Sequence, residues 1–507
     1  MKPKFYTTTP IYYVNDKPHL GTAYATVMVD TMNRFRKLVG FETKFLTGVD
    51  EHGQKIQQTA EKRGVTPQQH CDEFAQNFLN TWARLKIDYD IFYRTTSPSH
   101  IKTVQHVLQQ LFDKGDIYSQ NYEGWYCVSD ETFYPEDDLV DGKSPTGKPV
   151  EKVSEKNYFF KMSKYQQQLI DHIQKNPHFI QPESKRNEVL GFLAQPLEDL
   201  SISRPKSRIH WGIPLPFDDS HVTYVWVDAL SNYIAAVGYG SDEEQFKTWW
   251  TDAKVQHIIG KDILTTHAVY WTTILFSLGV KLPDEIFAHG WILNKDSAKM
   301  SKSQGDVLDP LAVVDKVGLE SFKYYLSSEI RFGNDAPFSE ELVIQKVNSD
   351  LANTLGNLLS RSTNLIDKFY SQALPEGSAQ AHPIKDAGLG LFAKVKTHVL
   401  ANEPHLVCFE VIQYLKQINQ FVEENAPWKM VKEDTVKAGI VLRDTTEALR
   451  ISACLLRPIL QDKMDQLLTA LNYKFDWDTV EQDVTQWYVL KSDQPITKAE
   501  PLFPRIQ

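Results

Sequence analysis

Residues 4–49 read KFYTTTPIYYVNDKPHLGTAYATVMVDTMNRFRKLVGFETKFLTGV, and this stretch decides the fold. It opens with a β-rich run over 4–14, and a polar turn over 15–18 ends that run. Apolar residues then recur at helical spacing until Gly40, and a second β-rich run covers 43–49. A strand, a helix and a strand of this spacing predict a parallel, doubly wound (Rossmann-like) α/β sheet.

The character of the chain changes three times beyond this stretch. Short aromatic β-like pieces alternate with acidic and Gly/Pro stretches, the α/β pattern then returns, and long amphipathic helices close the chain. The expected division is the first half of the sheet domain (1–114), a connective insertion (115–215), the second half of the sheet domain (216–288), a signature-loop and stem-contact region (289–345) and a helical bundle (346–507).

Composition excludes several classes of protein. Apolar residues make up 42% of the 507 positions and charged residues 24%, which is typical of a globular protein, and no run of ~18 apolar residues predicts a membrane span. The N-terminus lacks the pattern of a secretory signal, and four cysteines without a CxxC pair suit a reducing cytoplasm. A net charge of −10 argues against a protein that is basic all over, although a local basic face can still bind RNA.

The segment Pro18-His19-Leu20-Gly21-Thr22 stands at the start of the first predicted helix. A helix N-terminus offers unpaired amides and a partial positive charge, which suit a phosphate. His19 can donate to a phosphoryl oxygen, and Gly21 lets a nucleotide approach the backbone. The alternative interpretation is a histidine that only caps the helix.

A second segment with the same chemistry is Lys299-Met300-Ser301-Lys302-Ser303, followed by Gln304-Gly305. Alone it would equally suit a solvated surface loop. Together the two segments resemble the paired signatures of class I aminoacyl-tRNA synthetases, usually His-Ile-Gly-His and Lys-Met-Ser-Lys-Ser. The second signature matches at every position, whereas the first ends in Thr22, whose hydroxyl carries no charge. We expect that departure to weaken activity and not to abolish it.

This resemblance implies a catalytic sheet domain that activates an amino acid with ATP. The amino-acid carboxylate attacks the α-phosphate in line and pyrophosphate leaves, so catalysis consists of positioning and charge neutralisation. His19, Thr22, Lys299 and Lys302 are the implied catalytic residues, with Mg²⁺ supplying further charge. We expect Lys302→Ala to be the most damaging single change.

Three further patterns indicate which amino acid is bound. Asp50 ends the second predicted strand, where ligands bind in open parallel sheets, and its carboxylate suits an ammonium group. Two aromatic faces at helical spacing suit a thioether. They are formed by Trp226, Ala229 and Tyr233, and by Ile263, His267 and Trp271. The alternatives are an aspartate of a turn, an aromatic stripe in the core and a satisfied core histidine.

These patterns and the opening Thr8-Thr9-Pro10-Ile11-Tyr12-Tyr13-Val14-Asn15 resemble the methionine-binding elements of methionyl-tRNA synthetases. The resemblance implies that Asp50 holds the substrate ammonium. It implies a thioether pocket lined by Ile11, Tyr13, Trp226, Ala229, Leu230, Tyr233, Ile263, His267 and Trp271. It implies ATP contacts from His19, Gly21, Thr22, Asp262, Gly290, Trp291, Ile292, Leu293 and Lys302. Arg204 is a weaker candidate at the pocket.

Chain length and cysteine content set the nearest relatives aside. His19 and Lys299 lie 280 positions apart, which leaves little room for the editing domain of the leucine, isoleucine and valine enzymes. Many methionine enzymes hold zinc with paired cysteines in the insertion, but here Cys127 remains and Asp130 stands where a second cysteine would fall. One thiol cannot supply a tetrahedral site, so no structural zinc is expected.

The helical region carries candidates for tRNA recognition. Asn357 and Arg361 are four residues apart on one predicted helix, and Trp428 follows a proline at the start of another. An aromatic face can stack an unpaired base whose edge Asn and Arg can read. An ordinary surface pair and a helix-start staple are the alternatives, but resemblance to the family's anticodon-binding bundle implies that these residues contact the anticodon.

The resemblance covers residues 5–505, so the expected activity is that of a methionine–tRNA ligase. The enzyme would form methionyl-adenylate and pyrophosphate, then transfer methionine to the 3′ end of tRNA(Met). We expect a cytoplasmic monomer, because the chain stops before the dimerising domain that some members carry. A nucleotidyltransferase that does not use tRNA is disfavoured by Asn357, Arg361 and Trp428, and an inactive RNA-binding homologue is disfavoured by His19, Asp50 and the second signature.

Overall fold

The computed structural model describes residues 2–127, 132–134, 136–294, 308–378 and 382–506. The strands are β1 (Lys4–Tyr13), β2 (Glu42–Asp50), β3 (Ile91–Arg94), β4 (Ile117–Cys127), β5 (Thr132–Tyr134), β6 (Glu151–Phe160), β7 (Ile180–Gln181), β8 (Leu200–Ser201), β9 (Ser203–Pro205), β10 (Pro214–Leu215), β11 (Asp218–Thr223), β12 (Lys254–Gly260), β13 (Glu285–His289), β14 (Ile292–Leu293) and β15 (Ala336–Pro337).

The α-helices are α1 (Leu20–Leu38), α2 (Gln54–Arg63), α3 (Pro67–Arg84), α4 (Pro98–Asp113), α5 (Gln166–Lys175), α6 (Glu183–Phe192), α7 (Val225–Ala235), α8 (Glu243–Phe246), α9 (Thr272–Leu278), α10 (Pro310–Val317), α11 (Leu319–Glu329), α12 (Glu340–Lys346), α13 (Asn357–Tyr370), α14 (Pro383–Leu400), α15 (Pro404–Asn425), α16 (Pro427–Met430), α17 (Thr435–Leu456), α18 (Gln461–Ala470) and α19 (Val480–Val484). Three π-helical segments are Lys247–Thr251, Thr266–Trp271 and Val347–Gly356.

The chain forms two units. The sheet unit comprises 4–18 and 44–289, and the helical unit comprises 1–3, 19–43 and 290–507. Within the described residues, no helix is long and apolar enough to cross a bilayer.

A six-stranded sheet in the order β3-β2-β1-β12-β13-β7 forms the core of the sheet unit. The pairs β2–β3, β1–β12, β12–β13 and β13–β7 are all parallel. Strands β2 and β3 lie on one side of β1, and β12 and β13 lie on the other side. The order therefore reverses between β1 and β12, and the predicted doubly wound sheet is confirmed. Ligands bind beyond the carboxyl ends of the strands at such a switch point.

Strand β12 shows why this sequence forms a central parallel strand. Every residue after Lys254 is buried, including the run from Val255 to Gly260. Parallel strands are covered on both faces, so they read as nearly continuous buried runs and not as alternating ones.

The segment between the two halves of the sheet adds a four-stranded antiparallel sheet in the order β5-β4-β6-β8. Its register pairs Ile117 with Phe160 and continues to Tyr126 opposite Glu151. Strand β7 lies inside the stretch 115–215 but belongs to the six-stranded sheet, where Ile180 pairs with Ile286. The five-part domain division stays a prediction.

Long helices dominate the helical unit, where α14 packs on α15 and α15 packs on α17. A buried carboxylate on α17 ties the C-terminal segment to this bundle. Glu447 accepts from Arg450 Nε at 2.8 Å and from the Leu490 backbone N–H at 2.8 Å, and it forms an ion pair with Arg443 at 3.4 Å. All three side chains are buried, and the Glu447 carboxylate offsets part of the charge of the two guanidinium groups.

Candidate active site

The first signature begins helix α1 in the helical unit. His19 Nδ1 accepts from the backbone N–H groups of Gly21 at 3.1 Å and Thr22 at 3.4 Å. Thr22 Oγ1 accepts from the His19 backbone N–H at 3.0 Å, which completes a capping box. The imidazole that accepts at Nδ1 is neutral and carries its proton on Nε2.

The capping alternative and the phosphate alternative are therefore compatible for His19. One ring nitrogen serves the cap and the other is a donor. Thr22, which stands where the family usually has histidine, uses its hydroxyl within the same cap and also donates to the His19 carbonyl at 2.8 Å. The second signature, with Lys299 and Lys302, lies outside the described residues.

A cavity of about 280 Å³ lies in the sheet unit, just below the ~300–1,000 Å³ typical of small-molecule sites. Nine of the ten predicted methionine-binding residues line it: Ile11, Tyr13, Asp50, Trp226, Ala229, Leu230, Tyr233, Ile263 and His267. They come from the ends of β1 and β2, from α7, and from the 3₁₀ turn and the π-helical segment that follow β12. These elements meet at the carboxyl edge of the sheet, beside the switch point between β1 and β12.

Trp271 is the tenth predicted residue, and it does not line the cavity. It is fully buried behind Tyr233, with ring centroids 6.1 Å apart, and its indole N–H donates to His257 Nε2 at 3.2 Å. Lys261–Ile263 forms a 3₁₀ turn and Thr266–Trp271 is π-helical, so this stretch does not keep the α-helical spacing from which the shared face was predicted.

The tautomer of His267 follows from its two partners. Its Nδ1 lies 2.9 Å from the Ile263 carbonyl, which can only accept, so Nδ1 carries the proton. Its Nε2 then accepts from the Tyr233 hydroxyl at 2.7 Å. Burial lowers the pKa of His267 to about 4, so the ring is neutral at pH 7. The pocket wall here carries no charge, and both polar groups satisfy each other.

A second layer fixes this wall from behind. The Tyr6 hydroxyl donates to the Tyr233 carbonyl at 3.0 Å, and the Tyr233 ring lies 4.2 Å from the His257 ring. His257 accepts from Trp271 at Nε2, so its Nδ1 proton points to Thr8 Oγ1 at 2.8 Å. Burial holds the pKa of His257 well below its usual value, and this neutral contact chain links α7 to β1 and β12.

A buried carboxylate between two histidines joins the two sides of the pocket. Asp228 on α7 contacts His52 Nδ1 at 2.7 Å and His100 Nε2 at 2.7 Å. Burial acts to raise the pKa of Asp228, but the charges and hydrogen bonds of His52 and His100 outweigh the effect of burial and hold that pKa well below its usual range. Burial likewise lowers the pKa of His52, but the charge and hydrogen bond of Asp228 raise it above its usual value. The cluster connects the segment after Asp50 to the helix that carries Trp226.

The backbone around Asp50 is held by further bonds. The Asp50 carbonyl accepts from the Val14 N–H at 3.3 Å, and the Glu51 carbonyl accepts from Trp211 Nε1 and from Cys71 Sγ. The Glu51 carboxylate is fully buried and pairs with Arg94 at 2.7 Å. Asp50 itself is only 6% exposed, so its position at the pocket is set by its neighbours.

Sequence reasoning did not assign three other residues that line the cavity, namely Pro10, Lys55 and Val225. Pro10 directly precedes the predicted Ile11 and Val225 directly precedes the predicted Trp226, so including the preceding residue in each case would have found them. Lys55 gives no such signal, because a lysine early in a helix looks like a solvated residue. The weaker candidate Arg204 is outside the lining and lies 3.8 Å over the ring of Tyr224, which precedes α7.

The predicted ATP residues belong to both units. Asp262 is exposed in the 3₁₀ turn Lys261–Ile263 of the sheet unit. Gly290, Trp291 and the strand β14 (Ile292, Leu293) belong to the helical unit. A Cβ on Gly290 would lie 2.2 Å from the backbone of Asn334, so no other residue fits there.

The three anticodon candidates lie in the helical unit. The Arg361 guanidinium lies 4.8 Å over the Trp428 ring and is paired with Glu423 at 2.6 Å. Asn357 is exposed one turn before Arg361 on α13. Trp428 is half-buried on α16, so part of its side chain is accessible.

The zinc prediction falls partly outside the described residues, because Asp130 is not among them. Cys127 is buried at the end of β4, and all four cysteines are free thiols. No cluster of three metal-ligating side chains occurs among the residues that the structure describes. The absence of a structural zinc stays a prediction.

Comparison with known families and structures agrees with these features. The family model of class I tRNA synthetases (M) matches residues 5–152 and 138–363, and the model of the anticodon-binding domain of methionyl-tRNA ligase matches residues 392–507. The methionine–tRNA ligase of Clostridium acetobutylicum is 43% identical over 515 residues, covering 100% of this chain and 78% of that protein. The corresponding ligase of Clostridium tetani is 44% identical, covering 100% of this chain and 79% of that protein.

A solved structure shows the same architecture. Methionyl-tRNA synthetase of Mycobacterium tuberculosis, in complex with methionyl-adenylate, superposes with a TM-score of 0.93 at 35% identity, covering 99% of this chain and 100% of that one. The match spans both units, the relatives are similar along the full chain, and the pocket lies where open parallel sheets bind ligands. The chain therefore belongs to the methionyl-tRNA synthetases, the class I ligases that join methionine to tRNA.

Proposed function

We propose that the cavity of the sheet unit is the methionine site. The single observation that carries this is the combination of one buried carboxylate, Asp50, with an aromatic and aliphatic wall in a cavity at the sheet's switch point. Asp50 receives the substrate ammonium as a charge-assisted pair. Trp226 and Tyr233 contact the thioether, because sulfur packs well against aromatic rings.

The neutral wall explains why the site would prefer methionine to polar residues of similar length. His267 and Tyr233 use their polar atoms on each other, with Tyr233 as the donor. A glutamine side chain entering here would therefore find few partners and would lose its water, at a cost of about 1–3 kcal/mol for each unsatisfied group.

The activation step needs no covalent bond to the protein. A carboxylate oxygen of methionine attacks the α-phosphorus of ATP, the bond to the bridging oxygen breaks, and pyrophosphate leaves with the electron pair. His19, whose ring proton is on Nε2, is proposed to donate to a phosphoryl oxygen. Lys299 and Lys302 are proposed to neutralise developing charge.

Mg²⁺ is proposed to enter with ATP, because magnesium in such sites is held mainly by substrate phosphates and neutralises them. In the second step a terminal ribose hydroxyl of tRNA(Met) attacks the acyl carbon of the adenylate and AMP leaves. We further propose that the enzyme acts as a monomer in the cytoplasm, where its four buried free thiols would stay reduced.

The helical unit is proposed to select the tRNA. Arg361 and Trp428 already form a cation–π pair, so an anticodon base could stack on the tryptophan while Asn357 and the guanidinium read its edge. Glu423 holds the same guanidinium, and the tRNA has to replace or extend that ion pair.

Two assays test this assignment. Of the twenty amino acids, methionine is expected to support ATP–pyrophosphate exchange. Asp50→Asn is expected to raise the methionine KM in this assay. Trp428→Ala should spare the exchange reaction and lower charging of tRNA(Met) by about tenfold or more, since one stacked base contributes ~1–3 kcal/mol. Trp477→Ala is the matched control, because Trp477 packs under Arg457 at 5.3 Å in the same unit. Equal losses in both assays for Trp428→Ala would contradict the division of labour.

A further inference from the structure

Lys55 lines the same cavity as Asp50. Among the described residues, Lys55 takes part in no side-chain hydrogen bond or ion pair, and its carbonyl alone is contacted, by Thr59 Oγ1. The side chain is largely exposed at the cavity. A cation that lines a ligand cavity without a protein partner is available to a ligand.

The local helix gains nothing from this lysine. Lys55 is the second residue of α2, whose N-terminal end carries a partial positive charge that disfavours cations. The first turn contains no acidic residue, and Gly53 provides no side-chain cap. Lys62 and Arg63 occupy the last turn of the same helix, where the dipole favours them. Helix stability therefore does not explain why a cation occupies position 55.

The cavity carries two charged groups of opposite sign, the carboxylate of Asp50 and the ammonium of Lys55, while the rest of its lining is aromatic, aliphatic or the neutral His267. A free α-amino acid also carries two, an ammonium and a carboxylate on the same carbon. Asp50 suits the first and Lys55 suits the second. The site thus offers a matched pair for a zwitterion.

We propose that Lys55 binds the α-carboxylate of methionine before activation. The inference rests on the proposed function, in which this cavity holds methionine. When the carboxylate oxygen bonds to the α-phosphorus of ATP and pyrophosphate departs, the acyl group loses its negative charge. Lys55 therefore contributes mainly to binding of the free amino acid and little to the adenylate. An interaction made chiefly in the ground state lowers KM more than it raises kcat.

The test compares ligands that differ only at the carboxylate. Methioninol keeps the ammonium and the thioether but has a hydroxymethyl group in place of the carboxylate. In ATP–pyrophosphate exchange, Lys55→Gln should raise the methionine KM by roughly three- to tenfold. This is a small effect for the loss of a charged contact, because solvent screens the exposed lysine. The inhibition constant of methioninol and the KM for ATP should stay within about twofold of wild type.

Three variants make the result decisive. Lys55→Arg keeps the charge and should restore the methionine KM, and Lys62→Gln on the same helix should change nothing. Asp50→Asn should weaken methionine and methioninol alike, since both carry the ammonium. If Lys55→Gln weakens both ligands equally, or neither, Lys55 does not bind the carboxylate. If Asp50→Asn also leaves both ligands unaffected, the proposed methionine site itself fails.

Discussion

Replacing Asp228 by asparagine removes one charge from the centre of the pocket scaffold with almost no change in size. The aspartate is 1% exposed, and its two oxygens accept from His52 and His100 at 2.7 Å each. Asparagine keeps one acceptor oxygen and replaces the other with an NH₂ donor. One of the two imidazole N–H groups therefore loses its acceptor unless that ring changes tautomer.

The magnitude follows from the two bonds. A hydrogen bond to a charged group contributes ~1.5–3 kcal/mol and a neutral one ~0.5–1.5, so two weakened bonds lower the free energy of unfolding by about 2 kcal/mol. The sheet unit has roughly 260 residues, for which 2 kcal/mol corresponds to a fall in melting temperature of about 4 °C. Asp228→Ala should cost more, about 3–5 kcal/mol, because it leaves a buried partner uncompensated.

The effect has a defined pH dependence. The pKa of Asp228 is lowered in the folded protein, so its contribution is present above about pH 3.8 and is lost as the pH falls through the lowered value. The pKa of His52 is raised, so its contribution is fully present below about pH 6.5 and is lost as the pH rises through the raised value. The stability gap between wild type and Asp228→Asn should be widest between these limits and should narrow at alkaline pH.

Thermal unfolding at about pH 5.5 and about pH 8.5, on either side of the ordinary histidine pKa, measures this gap. Asp219→Asn is the control, since Asp219 is exposed on β11 and undergoes the same chemical change. The methionine KM of Asp228→Asn should also rise more than its ATP KM, because the connection between α7 and the segment after Asp50 is weakened. A gap that does not vary with pH, or equal melting temperatures for the two variants, would refute the charge pairing.

Two further changes test the helical unit by thermal unfolding. Glu447→Ala leaves the buried guanidinium groups of Arg443 and Arg450 without their carboxylate, so the free energy of unfolding of the helical unit should fall by about 3–5 kcal/mol. Glu424→Ala is the control, because Glu424 is exposed and its removal should have little effect. Gly290→Ala places a methyl group 2.2 Å from the Asn334 backbone and should therefore destabilise the protein. Gly390→Ala is the control, since Gly390 lies in open space on α14 and an alanine there should stabilise the protein by about 0.5–1 kcal/mol. A Gly290→Ala variant that is more stable than Gly390→Ala would contradict the steric argument.

The sequence predicted the sheet and most of the pocket for a common reason. Helix α1 repeats its apolar spacing over 19 residues, and β1 and β12 are β-rich runs long enough to mark buried strands, so tertiary context does not overturn these patterns. Strand β7 has two residues, which is too short for any periodic pattern, and only its pairing with β13 reveals that it belongs to the main sheet. Its place inside the stretch 115–215 could not be foreseen from composition.

The scaffold behind the pocket was missed because its contacts are distant in sequence. Asp228 lies 176 residues from His52 and 128 from His100, and neither histidine shows a local pattern that points to a carboxylate. Motifs identify residues that face a ligand, whereas the partners that hold those residues are chosen by the fold. Lys55 is the intermediate case, since it faces the cavity but looks like a surface lysine.

His19 shows how a structural and a functional interpretation can describe the same atom arrangement. A histidine that capped α1 through a protonated ring could not accept at Nδ1, so the cap selects the neutral tautomer with its proton on Nε2. The cap also fixes the ring against the helix N-terminus, which reduces the conformational freedom that a phosphate donor would otherwise lose on binding. Thr22 completes the cap through both its donor and its acceptor bonds to His19. In the proposed role of His19 as a phosphate donor, the Thr22 hydroxyl would hold the His19 backbone, a task that requires no charge.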